Sequence, residues 1–311
     1  MPAPSARIFS LAESSCSLCA RPGPFAPFAP GASLRETRCP GCGSSRRTRD
    51  LVRVLLEQCL PGRASARNPD CDRPEQGAAA RERSLREGLP ELAGLRILEL
   101  QAQGPLHQCL RGLPGYQCSE YFAHIAPGQR SAGGVLCQDA TALTFADASF
   151  DLVISQDVLE HIEQVWLAFA QIQRVLAPGG RHLFTVPLHE GRNWAQRSRR
   201  APGGYLEHML PPVHHKDPLN PEGALVFHDF GDDLPQLLAA RGIRARLAGR
   251  APLYPPDKLC CIAAEEDYER YLKHRAQGSH AMFFLYNSNV FMAVASRFSQ
   301  ENSGSSRPKC P

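Results

Sequence analysis

The sequence predicts an α/β fold in which a mostly parallel sheet carries helices on both faces, preceded by a small unit held by four cysteines. Residues 150–187 read in order as a buried strand, an amphipathic helix, a Pro-Gly-Gly turn and a second buried strand. Strand, helix, strand in that order is a right-handed crossover unit of a parallel sheet. Strand-length apolar runs recur at regular spacing from Leu95 onward, the punctuation of repeated α/β units. Ahead of them, two Cys-x-x-C pairs lie in a Gly- and Pro-rich stretch too small to build an apolar core of its own.

The elements follow in chain order. The first fifteen residues and residues 301–311 lack hydrophobic periodicity and are expected to fray. Residues 1–50 are expected to hold the cysteine unit, and residues 51–93 a helix and a linker. The helix is predicted over 51–60, with Leu51, Val52, Leu55, Leu56 and Cys59 on one side; residues 61–80, rich in Arg, Pro and Ala, make the linker. A larger domain is expected over 94–300, with strands at 96–100, 116–121, 134–138, 151–155 and 182–186 and helices near 106–111 and 163–176. The run 150–155 is apolar at nearly every position, as expected when both sheet faces are covered. Val158, Ile162, Val165, Trp166, Phe169, Ile172 and Leu176 then recur at spacings of three and four, one face of a helix that Pro178-Gly179-Gly180 stops. Arg199-Arg200, Gly203-Gly204, Pro211-Pro212 and three histidines break the rhythm and mark an insertion over about 190–228, above the sheet's active edge. A helix at 232–240 and strands at 243–247 and 289–296 close the domain.

Composition narrows the class. The chain has 311 residues, 43% hydrophobic and 21% charged, ordinary values for a soluble globular protein. No apolar run reaches membrane-spanning length, and the start lacks a signal peptide's basic and apolar regions, so a cytoplasmic location without a membrane partner is expected. In that compartment thiols stay reduced, and 12 cysteines read as metal ligands, core residues or reactive thiols. A net charge of +4 is too weak to imply a nucleic-acid partner by itself.

Phe150-Asp151-Leu152-Val153, Val158-Leu159-Glu160-His161 and Arg174-Val175-Leu176-Ala177-Pro178-Gly179-Gly180 form a long ordered run. It resembles the class I S-adenosylmethionine-dependent methyltransferases, whose fourth strand, following helix and fifth strand read FDLV, VLEH, RVLKPGG and VP. The resemblance spans residues 94–297 and implies a Rossmann-like, mostly parallel seven-stranded sheet whose last strand is antiparallel, with S-adenosyl-L-methionine as cofactor. It also implies site residues. Glu99 lies in the first strand, and Gln101 and Gly104 in the loop Gln101-Ala102-Gln103-Gly104-Pro105 that follows it. The family's loop is glycine-rich because backbone must approach the cofactor closely; only Gly104 of those glycines is present here. Glu120 matches the carboxylate that accepts from the ribose hydroxyls, and Asp139 the acidic residue that recognises the adenine amine. Asp139 also suits a turn cap. Gln156 and Asp157 end the fourth strand and should line the pocket, whereas Asp151 at its base reads as structural.

Asp157, Glu160 and His161 stand at i, i+3 and i+4, on one face of a helix starting there. Two carboxylates and an imidazole could hold a divalent cation; the same residues at a helix start satisfy exposed amides and the helix dipole, and this second role is favoured. Cys16, Cys19, Cys39 and Cys42, from two knuckles, match the tetrahedral demand of Zn²⁺, with a redox dithiol as the alternative. Arg46-Arg47-Thr48-Arg49 follows directly and reads either as a solvated face or as a phosphate contact. In the insertion, His214, His215 and His228 are candidates for a general base near neutral pH, each with a competing role as a loop hydrogen-bonder. The function these residues favour is methyl transfer to a small-molecule or sugar-like acceptor. An RNA methyltransferase docking through the zinc unit, and a non-catalytic relative serving as a binding or assembly protein, are the alternatives.

Overall fold

A computed structural model of the chain describes residues 15–23, 25, 37–60, 84–189, 191–217, 220–250 and 289–294. The expected linker at 61–80, the tail at 301–311 and residues 1–14 lie outside these.

Helix α1 (Arg46–Val54) continues into a π-helical turn over Leu55–Cys59, and α2 (Leu85–Leu92) follows. The α/β alternation then runs β1 (Ile97–Glu99), α3 (Gly104–Leu110), β2 (Tyr116–Glu120), β3 (Leu136–Cys137), β4 (Phe150–Gln156), a 3₁₀ turn (Leu159–His161), α4 (Val165–Val175) and β5 (Leu176–Thr185). Short strands occupy the insertion: β6 (Leu188–His189), β7 (Ala195–Gln196), β8 (Ser198–Arg200), β9 (Leu206–His208), β10 (His214–Asp217), β11 (Asn220–Leu225) and β12 (His228–Gly231). Helix α5 (Leu234–Ala239), β13 (Arg244–Arg250) and β14 (Asn289–Val294) end the described chain.

The central sheet has seven strands in the order β13-β14-β5-β4-β1-β2-β3. Strands β1 to β5 pair in parallel, and β14 runs antiparallel to both β5 and β13. The insertion forms three smaller sheets, β6-β12-β7, β8-β9 and β10-β11. Side chains alternate across the central sheet with period two, which splits the core into two layers. Leu98, Val153 and Phe184 face α4 and α5, packing with Phe169, Ile172, Leu234 and Leu238. Ile97, Leu152, Ile154 and Leu183 face the other way, against Leu51, Leu55, Leu85 and Leu106. Cys16, Leu18, Phe25 and Cys39 belong to this second layer, so the cysteine knuckles share a core with the sheet. The architecture is an α/β, Rossmann-like one.

Several boundaries differ from the sequence expectation. Pro178-Gly179-Gly180 is not a turn between elements: α4 ends at Val175 and β5 begins at Leu176, so the triplet lies inside the strand. The register with β4 shifts there, and Gly179 takes φ +81°. A Cβ on Gly180 would stand 2.8 Å from the Ala177 carbonyl oxygen and 3.2 Å from that of Asp151, which is why the bulge needs glycine. Strand β3 is shorter than expected, and the insertion is built of hairpins rather than open loop.

The first helix starts at Arg46 rather than at 51, where Ser45 caps it by accepting from the Thr48 amide. The basic run therefore lies on the helix and not on a solvated face. Arg49 is fully buried; its guanidinium donates to the carbonyl oxygens of Thr37 (3.0 Å) and Ser44 (2.6 Å) and stands 4.3 Å from the Phe25 ring. Arg46 pairs with Asp50 at 3.4 Å, and Arg47 pairs with Asp157. No helix among the described residues is long and apolar enough to cross a membrane.

Candidate active site

The chain leaves β1 towards β2 and β3 on one side, then returns to β4 on the other. The carboxyl ends of β1 and β4 thus flank the point where strand order reverses, the place open α/β sheets bind ligands. Glu99 ends β1 and is fully buried. Its Oε2 accepts from the Tyr116 hydroxyl at 2.6 Å, and its Oε1 lies 3.5 Å from the Gln156 amide nitrogen, which donates to it. Burial pushes the Glu99 carboxyl up to about 8, against the lowering effect of the Tyr116 bond, so the group is largely protonated at neutral pH. Glu120, at the end of β2, accepts from the Ala102 amide at 2.9 Å and so pins the loop after β1. Burial raises its pKa as well, the Ala102 bond opposes this, and the Asp217 carboxylate adds to it. Gly104 takes φ +87° at the start of α3.

Gln101, Gln103, Gly104 and Gln156 line one cleft together with Arg38, Arg47 and Thr48 of the amino-terminal unit. Asp157, directly after β4, takes φ +50°, unusual for a residue with a side chain. It is held there from two sides: Thr185 Oγ1 donates to Oδ1 at 2.9 Å, and Arg47 engages Oδ2. The helix expected at this point begins only at Val165, so Asp157, Glu160 and His161 do not share a helix face. Asp139 accepts from both the amide (2.8 Å) and the hydroxyl (2.7 Å) of Thr141 with the same oxygen, a local turn cap. Asp151 is tied to Arg96, whose guanidinium donates at 2.8 and 3.1 Å, and its pKa is held down by that pairing.

The three insertion histidines part company. His228 lies in β12, buried, with Nε2 donating to the carbonyl oxygens of Ile162 (3.0 Å) and Glu163 (2.9 Å). Burial lowers its pKa, and its bonds are those of a structural residue. Along β10 exposure alternates: His214 and Lys216 point to solvent, His215 and Asp217 inward. His215 Nδ1 lies 3.2 Å from His161 Nε2 and 3.5 Å from Glu160 Oε1. This pairing of His215 with Glu160 and His161 was not read from the sequence; the period-two alternation of His214 to Asp217 was the available signal. Arg47 was also missed as a cleft residue, because nothing local in the sequence ties it to the strand ends, and Gln103, in the loop read after the first strand, was not singled out.

At the amino terminus Cys16, Cys19, Cys39 and Cys42 gather, all four sulfurs lying within 4.8 Å of one another. The two knuckles repeat one geometry. The Cys16 amide donates to the Arg21 carbonyl (2.8 Å) as Cys39 does to Ser44 (2.9 Å), and the Ala20 amide donates to Cys16 (2.8 Å) as Gly43 does to Cys39 (2.8 Å). Ala20 (φ +61°) and Gly43 (φ +72°) take the same left-handed turn. The Sγ separations of 3.6 Å (Cys16–Cys42) and 3.7 Å (Cys19–Cys39) are far from a disulfide bond. They are close to the roughly 3.8 Å edge of a tetrahedron with metal–sulfur bonds of about 2.3 Å. The Gly41 amide points at Cys39 Sγ from 3.4 Å, a donor suited to a thiolate. The four sulfurs fit one tetrahedral ion.

Residues 107–184 match the family model described as a methyltransferase domain. An uncharacterized methyltransferase of Mycolicibacterium gilvum (strain PYR-GCK) is 32% identical over 133 residues, 40% of this chain and 49% of that protein. One of Mycolicibacterium vanbaalenii is 34% identical over 145 residues, 44% of this chain and 54% of that protein. The chain spans about half the length, or less, of the curated relatives it matches. Among solved structures, an S-adenosylmethionine dependent methyltransferase from Mesorhizobium loti aligns over 68% of this chain and 94% of its own, at 16% identity and a TM-score of 0.35.

Proposed function

We propose that this chain is an S-adenosylmethionine-dependent methyltransferase acting on a small-molecule or sugar-like acceptor. The observation that carries this reading is the cleft lined by Gln101, Gln103, Gly104 and Gln156 at the strand-order reversal, with Glu99 bonded to Gln156 and Glu120 bonded to the loop after β1, within and beside the segment that matches a methyltransferase domain. Bound S-adenosylmethionine supplies an electrophilic methyl group. The chain's own residues bind and align. Glu120 offers a carboxylate with several acceptor positions, of which the Ala102 amide uses one, leaving capacity for vicinal hydroxyls. Gln101 and Gln156 add amide groups on the cleft wall. Asp139, with one oxygen committed to its own turn, has the weaker claim to an adenine contact. Alignment matters most in this chemistry, because methyl transfer is an in-line displacement that proximity accelerates.

The small-molecule acceptor is favoured over RNA by the basic run. Arg46 and Arg49 are turned into the protein and Arg47 into the cleft, so this run does not form a phosphate-binding face. On the acceptor side, His214 points away and His228 is consumed by carbonyls, which leaves His215 as the insertion histidine that faces inward. The four-cysteine cluster holds Zn²⁺ in this reading, as a structural ion that fixes α1 against the sheet. Isothermal titration with S-adenosylmethionine at millimolar concentration tests the core of the proposal. Binding is expected, and Glu120→Ala should weaken it about tenfold or more, since a hydrogen bond to a charged group contributes about 1.5–3 kcal/mol. No heat and no thermal shift would overturn it in favour of a non-catalytic relative.

A further inference from the structure

We propose that Glu160, His161 and His215 form a second metal site, one that takes a divalent first-row transition ion and keeps open coordination positions. Glu160 is 1% exposed, and neither of its carboxylate oxygens has a hydrogen-bond partner. A buried carboxylate without donors is costly, so such an arrangement calls for a ligand. Two imidazole nitrogens face it: His161 Nε2 at 3.7 Å and His215 Nδ1 at 3.5 Å, both beyond hydrogen-bond length. The nitrogens themselves are 3.2 Å apart. An ion about 2.0–2.2 Å from each ligand atom allows separations up to about 4 Å, and all three fall inside that limit.

The tautomer is already set for coordination. His161 Nδ1 donates to the Leu225 carbonyl oxygen at 2.8 Å, which leaves the lone pair on Nε2, the atom turned towards Glu160. A hydrogen bond between the two rings would satisfy one nitrogen and still leave Glu160 without a donor. A cation satisfies all three. Asp157, which the sequence places with Glu160 and His161, is excluded because Arg47 and Thr185 hold it elsewhere. The third ligand comes instead from the β10–β11 hairpin, 54 residues away in sequence from His161. Two histidines and one carboxylate suit Zn²⁺, Co²⁺ or Fe²⁺ rather than Mg²⁺ or Ca²⁺. Three protein ligands leave positions for water or for an acceptor, the pattern of catalytic rather than structural sites.

The site joins the turn after β4 to the hairpin that carries His215, the inward-facing histidine on the acceptor side of the proposed function. It therefore fits an acceptor that binds metal through oxygen, such as a vicinal diol or hydroxy acid, and this part rests on the methyltransferase reading. Metal binding itself is tested without cofactor or acceptor, so its failure is distinct from a failure to bind S-adenosylmethionine. The full chain, with its cysteine site loaded with zinc, is titrated with Co²⁺ alone by calorimetry and visible absorption. One further equivalent should bind, giving weak d–d bands without the intense sulfur-to-cobalt transitions of a thiolate site. Glu160→Gln and His215→Ala should each weaken it by about 100-fold or more, beyond the roughly 10–100-fold that loss of an outer partner costs. His214→Ala, on the outer side of the same strand, should leave it unchanged. Because His215 sits on a half-exposed hairpin, its variant keeps the test available if Glu160→Gln fails to fold. No cobalt beyond the cysteine site, or equal affinity in His215→Ala, would overturn the proposal.

Discussion

Replacing Glu99 by Gln should flatten the pH dependence of stability across neutrality. In the unfolded chain a glutamate titrates near 4.3, whereas burial holds Glu99 up at about 8. Between those values the folded protein binds a proton that the unfolded chain has released. Stability therefore falls as pH rises through this window, by at most about 1.4 kcal/mol per pH unit, and the loss levels off above the folded pKa. From pH 6 to pH 8 this single group should cost the wild type about 2 kcal/mol. Gln is nearly isosteric, and its carbonyl oxygen can still accept from the Tyr116 hydroxyl, so cavity and hydrogen-bond losses stay small. Other titrating groups, Glu120 among them, are present in both proteins and cancel in the difference. Urea unfolding of both at pH 6, 7 and 8 measures it. The variant's stability should gain on the wild type's by about 2 kcal/mol across the range. Parallel pH profiles would show that Glu99 is ionised when folded and that its surroundings are wetter than the geometry implies.

Two further outcomes are expected. A mercurial reagent should release one zinc per chain, because thiolate-bound metal is freed when its sulfurs are blocked, and protein so treated should melt at lower temperature because Cys16 and Cys39 share a core with the sheet. Release of no zinc from freshly reduced protein would refute the tetrahedral site. His228→Ala should lower stability by about 1–3 kcal/mol, as the Ile162 and Glu163 carbonyls lose their donor, while turnover per folded molecule stays at the wild-type value. A large loss of turnover in folded variant would restore His228 as a catalytic residue.

The parts of the fold legible in the sequence are those whose signal is local. The apolar run of β4 and the three-and-four spacing over α4 describe buried surfaces that a short window contains whole. Residues 178–180 mislead for a physical reason: Pro-Gly-Gly breaks a helix wherever it occurs, but here the break is taken up inside β5 by pairing with β4. The run Arg46 to Arg49 misleads in the same way. Charge pattern alone assigns arginines to solvent, and only the fold supplies the carbonyls of Thr37 and Ser44 that make burying Arg49 tolerable.

The candidate site divides along the same line. Glu99, Gln101, Gly104, Glu120 and Gln156 are read from strand ends and the loop after the first; Gln101, Gly104 and Gln156 line one cleft, Glu99 is bonded to Gln156, and Glu120 to the Ala102 amide of that loop. Residues recruited from distant segments leave no local trace. Arg47 reaches Asp157 across 110 positions of sequence, closing one wall of the cleft with the amino-terminal helix. That contact also holds Asp157 in a left-handed conformation that a lone β-strand end would not favour. The cysteine unit is thus more than an appendage in physical terms: its knuckles position α1, α1 positions Arg47, and Arg47 fixes the carboxyl end of β4. A change at the cysteines should therefore reach the cleft through this chain of contacts, without any residue of the unit having to touch the acceptor.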